Sequence, residues 1–84
     1  MARIWIGNIE SDTSDEELRE LLAKYGFPTC DALERVAGDG SRPAAIATFE
    51  GASPEGLRML VPRIHDLFWK HRKLTVQELR DNYA

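Results

Sequence analysis

The sequence holds a single cysteine, Cys30. One thiol excludes an internal disulfide framework and any multi-cysteine zinc site, and it is read as a small core or strand residue. Nor is there an apolar run near the ~20 residues that a bilayer-spanning helix needs, or the charged, apolar, small-residue pattern of a secretory signal. These absences set three expectations: no membrane partner, no disulfides, and residence in the cytoplasm, or in the nucleus if the source is eukaryotic. No glycine loop is built to cradle a phosphate; Gly38 and Gly40 fit a hairpin turn. His65 and His71 stand six apart, which matches no usual helical ligand pair, and neither has a cysteine or serine constellation around it. Catalysis, a metal and a cofactor are therefore not expected. Positive charge is also scarce: 11 Lys/Arg face 14 Asp/Glu, a net charge of -3 with a pI near 5.3. That is an acidic balance for a nucleic-acid binder, whose footprint is usually basic. The deficit is uneven, with a net of -5 over residues 1–40 and +2 over residues 41–84.

What is present suffices for one small globular domain of 84 residues, 43% of them hydrophobic. Its core is expected over residues 2–79, with a short tail at 80–84. The run Arg3-Ile4-Trp5-Ile6-Gly7-Asn8-Ile9 alternates, so Ile4 and Ile6 share one face of a strand and Trp5 stands on the other. Ser14 and Glu17 have the spacing of a capping box, and Asp15, Glu16 and Glu17 sit at the positive end of the helix that follows. Leu18, Leu21, Leu22 and Tyr25 form its apolar stripe, and Gly26 supplies a left-handed stop. Residues 30–37 and 42–50 read as a hairpin across Gly38-Asp39-Gly40-Ser41, the faces of the first arm being unassigned because Leu33 and Val36 do not alternate cleanly. Ser53-Pro54 opens a second helix whose period runs through Leu57, Leu60, Val61, Ile64, Leu67 and Phe68, with a kink expected at Pro62. Leu74, Val76 and Leu79 mark a last strand.

The order β-α-β-β-α-β predicts an α+β, ferredoxin-like sandwich: a four-stranded antiparallel sheet with both helices on one face. Ile4, Ile6, Leu18, Leu21, Leu22, Ala45, Ala47, Phe49, Leu57, Ile64, Leu74 and Val76 are expected between the layers. The other sheet face stays open, and Trp5 stands on it with Lys73, Thr75 and Gln77. Trp69-Lys70-His71-Arg72-Lys73 interleaves an aromatic with cations, a pattern shared by nucleic-acid contacts and solvated loops.

Several stretches resemble the RNA recognition motif (RRM). Ile4-Trp5-Ile6-Gly7-Asn8-Ile9 is similar to the family's first-strand hexamer. Ser14-Asp15-Glu16-Glu17-Leu18-Arg19-Glu20-Leu21-Leu22 with Lys24-Tyr25-Gly26 is similar to its first helix, and Arg72-Lys73-Leu74-Thr75-Val76 to its fourth-strand entry. The third strand departs from the family octamer K/R-G-F/Y-G/A-F-V-x-F/Y. With its last residue on Phe49, the basic position falls on Arg42, Pro43 replaces the glycine, and the two stacking aromatics become Ala44 and Ile46. Of three ring positions only Trp5 carries a ring. A monomer is expected, and the resemblance implies that its open face binds single-stranded RNA weakly. Trp5 would stack a base, Arg42 and Lys73 would meet phosphates, and Arg3, Asn8, Ala44, Ile46, Thr75 and Gln77 would complete the surface. The rival expectation is a protein-interaction module on the same fold, reached through the sheet face or through Glu16, Glu17 and Glu20 of the acidic helix. A homodimer through Trp5 and Ile46 is the third.

Overall fold

The computed structural model describes residues 2–36 and 43–79. The expected turn at residues 38–41, the candidate Arg42 and the tail at 80–84 lie outside them. In chain order the elements are β1 (Ala2–Gly7), α1 (Asp15–Lys24), β2 (Ala32–Val36), β3 (Ala44–Phe49), α2 (Pro54–Ile64), β4 (Phe68–Trp69), β5 (Arg72–Lys73) and β6 (Thr75–Leu79). The main sheet has the order β2-β3-β1-β6 with every neighbour antiparallel. This is the expected architecture, with β6 as its fourth main strand and a two-stranded ribbon, β4–β5, inserted before it.

The core forms as the alternation requires. Ile4 and Ile6 from β1, Ala45, Ala47 and Phe49 from β3, and Leu74 and Val76 from the last arm are buried against Leu18, Leu21 and Leu22 of α1 and Leu57 and Ile64 of α2. Every residue expected between the layers is there. Phe27 packs on Phe49 with ring centroids 6.0 Å apart, and Cys30 joins the same core. Among the described residues no helix is long and apolar enough to cross a membrane.

Local signals set the helix ends. The Ser14 hydroxyl accepts from Glu17 N–H, Glu17 Oε1 accepts from Ser14 N–H, and Gly26 takes φ +93°. Ser53 caps α2, accepting from Gly56 N–H, with Pro54 at its first position. Pro62 is accommodated inside α2, but the helix ends at Ile64, short of Phe68. The apolar period at Leu67 and Phe68 is not helical. Asp66 adopts φ +67°, its N–H donates to Leu74 O, and Leu74 N–H donates to Leu67 O. Pairing with the chain entering β6 replaces another helical turn and leaves Phe68 exposed. His65 is consequently a cap residue and not mid-helix. Its Nδ1 accepts from Val76 N–H at 3.1 Å, so its single ring proton in that state sits on Nε2.

Register resolves the faces of β2. Ala32, Glu34 and Val36 pair with Thr48, Ile46 and Ala44, while Leu33 and Arg35 pair with Ala47 and Ala45. Leu33 therefore faces the helices and Val36 the open side, as a spacing of three requires in a strand. Arg35 reaches from the helix side to Thr13 O at 2.9 Å and Asp15 Oδ1 at 3.2 Å.

Candidate nucleic-acid interface

Four residues, one from each strand of the main sheet, make a row across the open face: Glu34, Ile46, Trp5 and Gln77. Ala32, Thr48, Arg3 and Leu79 form the row on one side of it, and Gly7 pairs with Thr75 on the other. Trp5 thus stands on a central strand. Its six-membered ring lies over Gly7: a Cβ built there would overlap ring atoms Cη2, Cζ3 and Cζ2, the last at 2.9 Å. The sequence run places Trp5 and Gly7 on the same strand face, two residues apart. Only a residue without a side chain leaves the indole room to lie along the strand.

The other expected site residues divide into three groups. Gln77 is exposed beside Trp5, Ile46 is half-buried on its other side, and Arg3 and Thr75 are half-buried in the flanking rows. Ala44 is in β3 but only 2% exposed, too little to serve as a floor for a base. Asn8 and Lys73 lie at the end of the sheet. Asn8, at φ +61°, donates from Nδ2 to Lys73 O at 2.9 Å and accepts at Oδ1 from Arg72 at 3.1 Å. Both ends of its amide are engaged inside the protein, so it braces β1 against β5. Lys73 does not belong to the main sheet: it pairs with Phe68 in the ribbon, because Leu74 separates β5 from β6. Arg42 is among the residues not described. Glu34 went unrecognised in the sequence because the β2 faces were unassigned. Pairing it against Ile46 supplies that missing information.

The cationic cluster of the ribbon is turned inward to a large extent. Lys70 and His71, at φ +51° and +69°, are the central residues of the turn joining Trp69 to Arg72. Lys70 Nζ donates to both Glu17 carboxylate oxygens at 3.0 Å and lies 3.8 Å from Asp12. Arg72 Nε is 3.8 Å from Glu10. Acidic residues before α1 and in its first turn thus partner Lys70 and Arg72. The hydrogen bond from Ser14 N–H, followed by that from Lys70, holds the Glu17 carboxyl below the ordinary glutamate range. The bond to Glu17 in turn raises the Lys70 ammonium above its ordinary value.

A groove of about 280 Å³ runs between α1 and the ribbon, lined by Glu17, Glu20, Leu21, Tyr25, Trp69 and Lys70 among others. Glu16 and Glu20 are exposed on the same helix, and their side chains make no hydrogen bond or ion pair among the described residues. Those residues contain no cluster of three or more His, Cys, Asp or Glu able to hold a metal.

With this geometry the chain superposes on solved structures over its whole length. The structure described as Pes4 RRM3 covers 100% of the chain and 98% of its own length at a TM-score of 0.80, with 15% identity. An RNA-binding protein named PG1 covers 100% of both chains at a TM-score of 0.74, with 21% identity. In sequence, the cytoplasmic and nuclear polyadenylate-binding protein of Eremothecium gossypii is 30% identical over 80 residues. The match takes in 95% of the chain and 13% of that relative, so the chain corresponds to a small part of it. No family model matches the chain.

Proposed function

We propose that this chain, whose fold is that of the RNA recognition motif structure it superposes on, binds single-stranded RNA on the open face of its main sheet. The observation that carries this reading is the Trp5 ring lying over Gly7 on a central strand. The outer edge of the six-membered ring lies against Gly7, and Trp5 stays part-exposed on the open face, where a base can stack on it. Base–aromatic stacking is sequence-tolerant and contributes about 1–3 kcal/mol per base. Gln77, exposed next to Trp5, can donate to or accept from the edge of the stacked base. Arg3 lies one row away, and Arg42 and Lys73 would meet phosphates. With one ring in place of three, affinity is weak and a few nucleotides are engaged. The relative from Eremothecium gossypii is a polyadenylate-binding protein of cytoplasm and nucleus, and the same compartments suit this domain.

The test is a titration of the isotopically labelled protein with a randomised pool of short single-stranded RNA, followed by amide and indole NMR. Shifts at Trp5, Ile46 and Gln77 support the reading. A spectrum unmoved at those positions up to millimolar RNA rejects it.

A second reading, a protein-binding surface, draws on the groove beside α1, where Glu20 lies with Tyr25 and Trp69, and on Glu16, exposed on the same helix. Charge reversal at Glu16 and Glu20 would then abolish capture of a basic partner without moving the sheet-face signals.

A further inference from the structure

We propose that Glu34 sets the base preference of the nucleotide next to the one on Trp5, favouring a base that presents an amino group, cytosine over uracil. This deepens the RNA-binding reading and rests on it. Glu34 is one strand from Ile46 and two from Trp5 in the same row, so about 5 and 10 Å away along the hydrogen-bonding direction. It is exposed, and its side chain makes no hydrogen bond or ion pair among the described residues. Of the described residues on the open face it is the one carboxylate. The adjacent cation does not reach it, because Arg35 points to the helix side and is held by Thr13 O and Asp15.

A strand that stacks one base on Trp5 can lay its neighbour over the apolar surface of Ile46, with the base edge turned to Glu34. An ionised carboxylate only accepts hydrogen bonds. Cytosine offers it the N4 amino group, a recognised pairing with Glu, whereas uracil presents the O4 lone pairs at the same place. Gln77, at the far end of the row, is both donor and acceptor and tolerates either base. Discrimination is thus confined to the β2 side of the platform. The same negative charge repels phosphate, which keeps the backbone off β2 and leaves base edges as the groups that approach it.

Hexacytidylate and hexauridylate differ in this edge while sharing backbone charge and ring size. Both are titrated near neutral pH into the wild-type protein, Glu34→Ala and Glu34→Gln, with the Trp5 indole and residue 34 amide signals as readouts. The wild type is expected to bind hexacytidylate about tenfold more tightly than hexauridylate. In both variants the ratio is expected to fall close to one while the Trp5 indole still shifts. Equal wild-type affinities, or a cytosine preference that survives Glu34→Ala, would overturn the role of Glu34 and leave the stacking platform standing. If neither oligonucleotide moves the Trp5 indole, the platform itself is rejected and the Glu34 proposal falls with it.

Discussion

Replacing a hydrogen of Gly7 by a methyl group puts a carbon where the Trp5 ring already lies. The ring is rigid and cannot bend aside, so it must rotate off the strand. The backbone at Gly7 is not in the left-handed region, hence the conflict is purely one of packing. Gly7→Ala is expected to destabilise the fold by about 1–3 kcal/mol, the usual range for overpacking, and to weaken RNA binding alongside. Trp5→Ala removes the ring from the open face while the buried Ile4 and Ile6 stay in place. It should therefore keep the fold and lose about 1–3 kcal/mol of binding. The two residues interact directly, so the effects are not additive. In the double variant the stability cost of Gly7→Ala should largely vanish. Chemical denaturation of the four proteins measures this, and a cost at Gly7 that persists without the indole would show that Trp5 is not its cause.

The ribbon of β4 and β5 is held by contacts that its sequence does not advertise. Two-residue hairpin turns with positive φ at both central positions prefer Asn-Gly or Asp-Gly; here they are Lys70 and His71. A left-handed residue with a side chain costs about 1–2 kcal/mol, partly offset by the greater freedom that glycine loses on folding. His71 is exposed and has no hydrogen bond among the described residues. His71→Gly is thus expected to stabilise the protein by about 0.5–1 kcal/mol, read as a rise in melting temperature. Lys70 holds its position through Glu17, and that bond gives stability a pH window. Glu17 titrates lower in the folded than in the unfolded chain, so its stabilisation is present above the ordinary glutamate value and is lost as pH falls through the folded one. Lys70 titrates higher when folded, so its share persists below the ordinary lysine value and is lost as pH rises through the folded one. Glu17→Gln should flatten the acid limb of the stability profile measured by denaturation from neutral pH downward. An unchanged limb would assign the acid dependence to other carboxylates. These contrasts explain what could be read from the sequence. The α1 boundaries rest on residues within a few positions of one another, Ser14 with Glu17 and the stripe from Leu18 to Tyr25, and they were legible. The alternation in β1 and β3 gave the core face and with it Trp5. The end of α2 depends on Leu67 and Asp66 meeting Leu74, the ribbon on Lys70 meeting Glu17, and Glu34 on its register with Ile46. Each is a contact between separate elements and leaves no periodic trace.

Taken as a whole, the molecule carries a net charge of -3, and four of its cations are paired with its own carboxylates. Lys70 is tied to Glu17, Arg58 to Glu78 at 3.1 Å, Arg35 to Asp15, and Arg72 lies by Glu10. The cations proposed to meet the RNA are Arg3, Arg42 and Lys73. Binding to a single strand releases counterions with a slope of about -0.7 in log K against log salt for each phosphate neutralised. Three such contacts give a slope of about -2, whereas six or more would give about -4 or steeper. Affinity should therefore fall about fourfold for each doubling of salt, against about sixteenfold at a slope of -4, and stacking on Trp5 should carry the larger share. The measurement is affinity for one fixed oligonucleotide across a salt series, for the wild type and for Lys73→Ala. The variant is expected to reduce the slope by about 0.7 and to leave the Trp5 indole shift unchanged. A wild-type slope steeper than about -4 would mean that a basic surface elsewhere on the chain binds the RNA. The open sheet would then no longer be the principal interface.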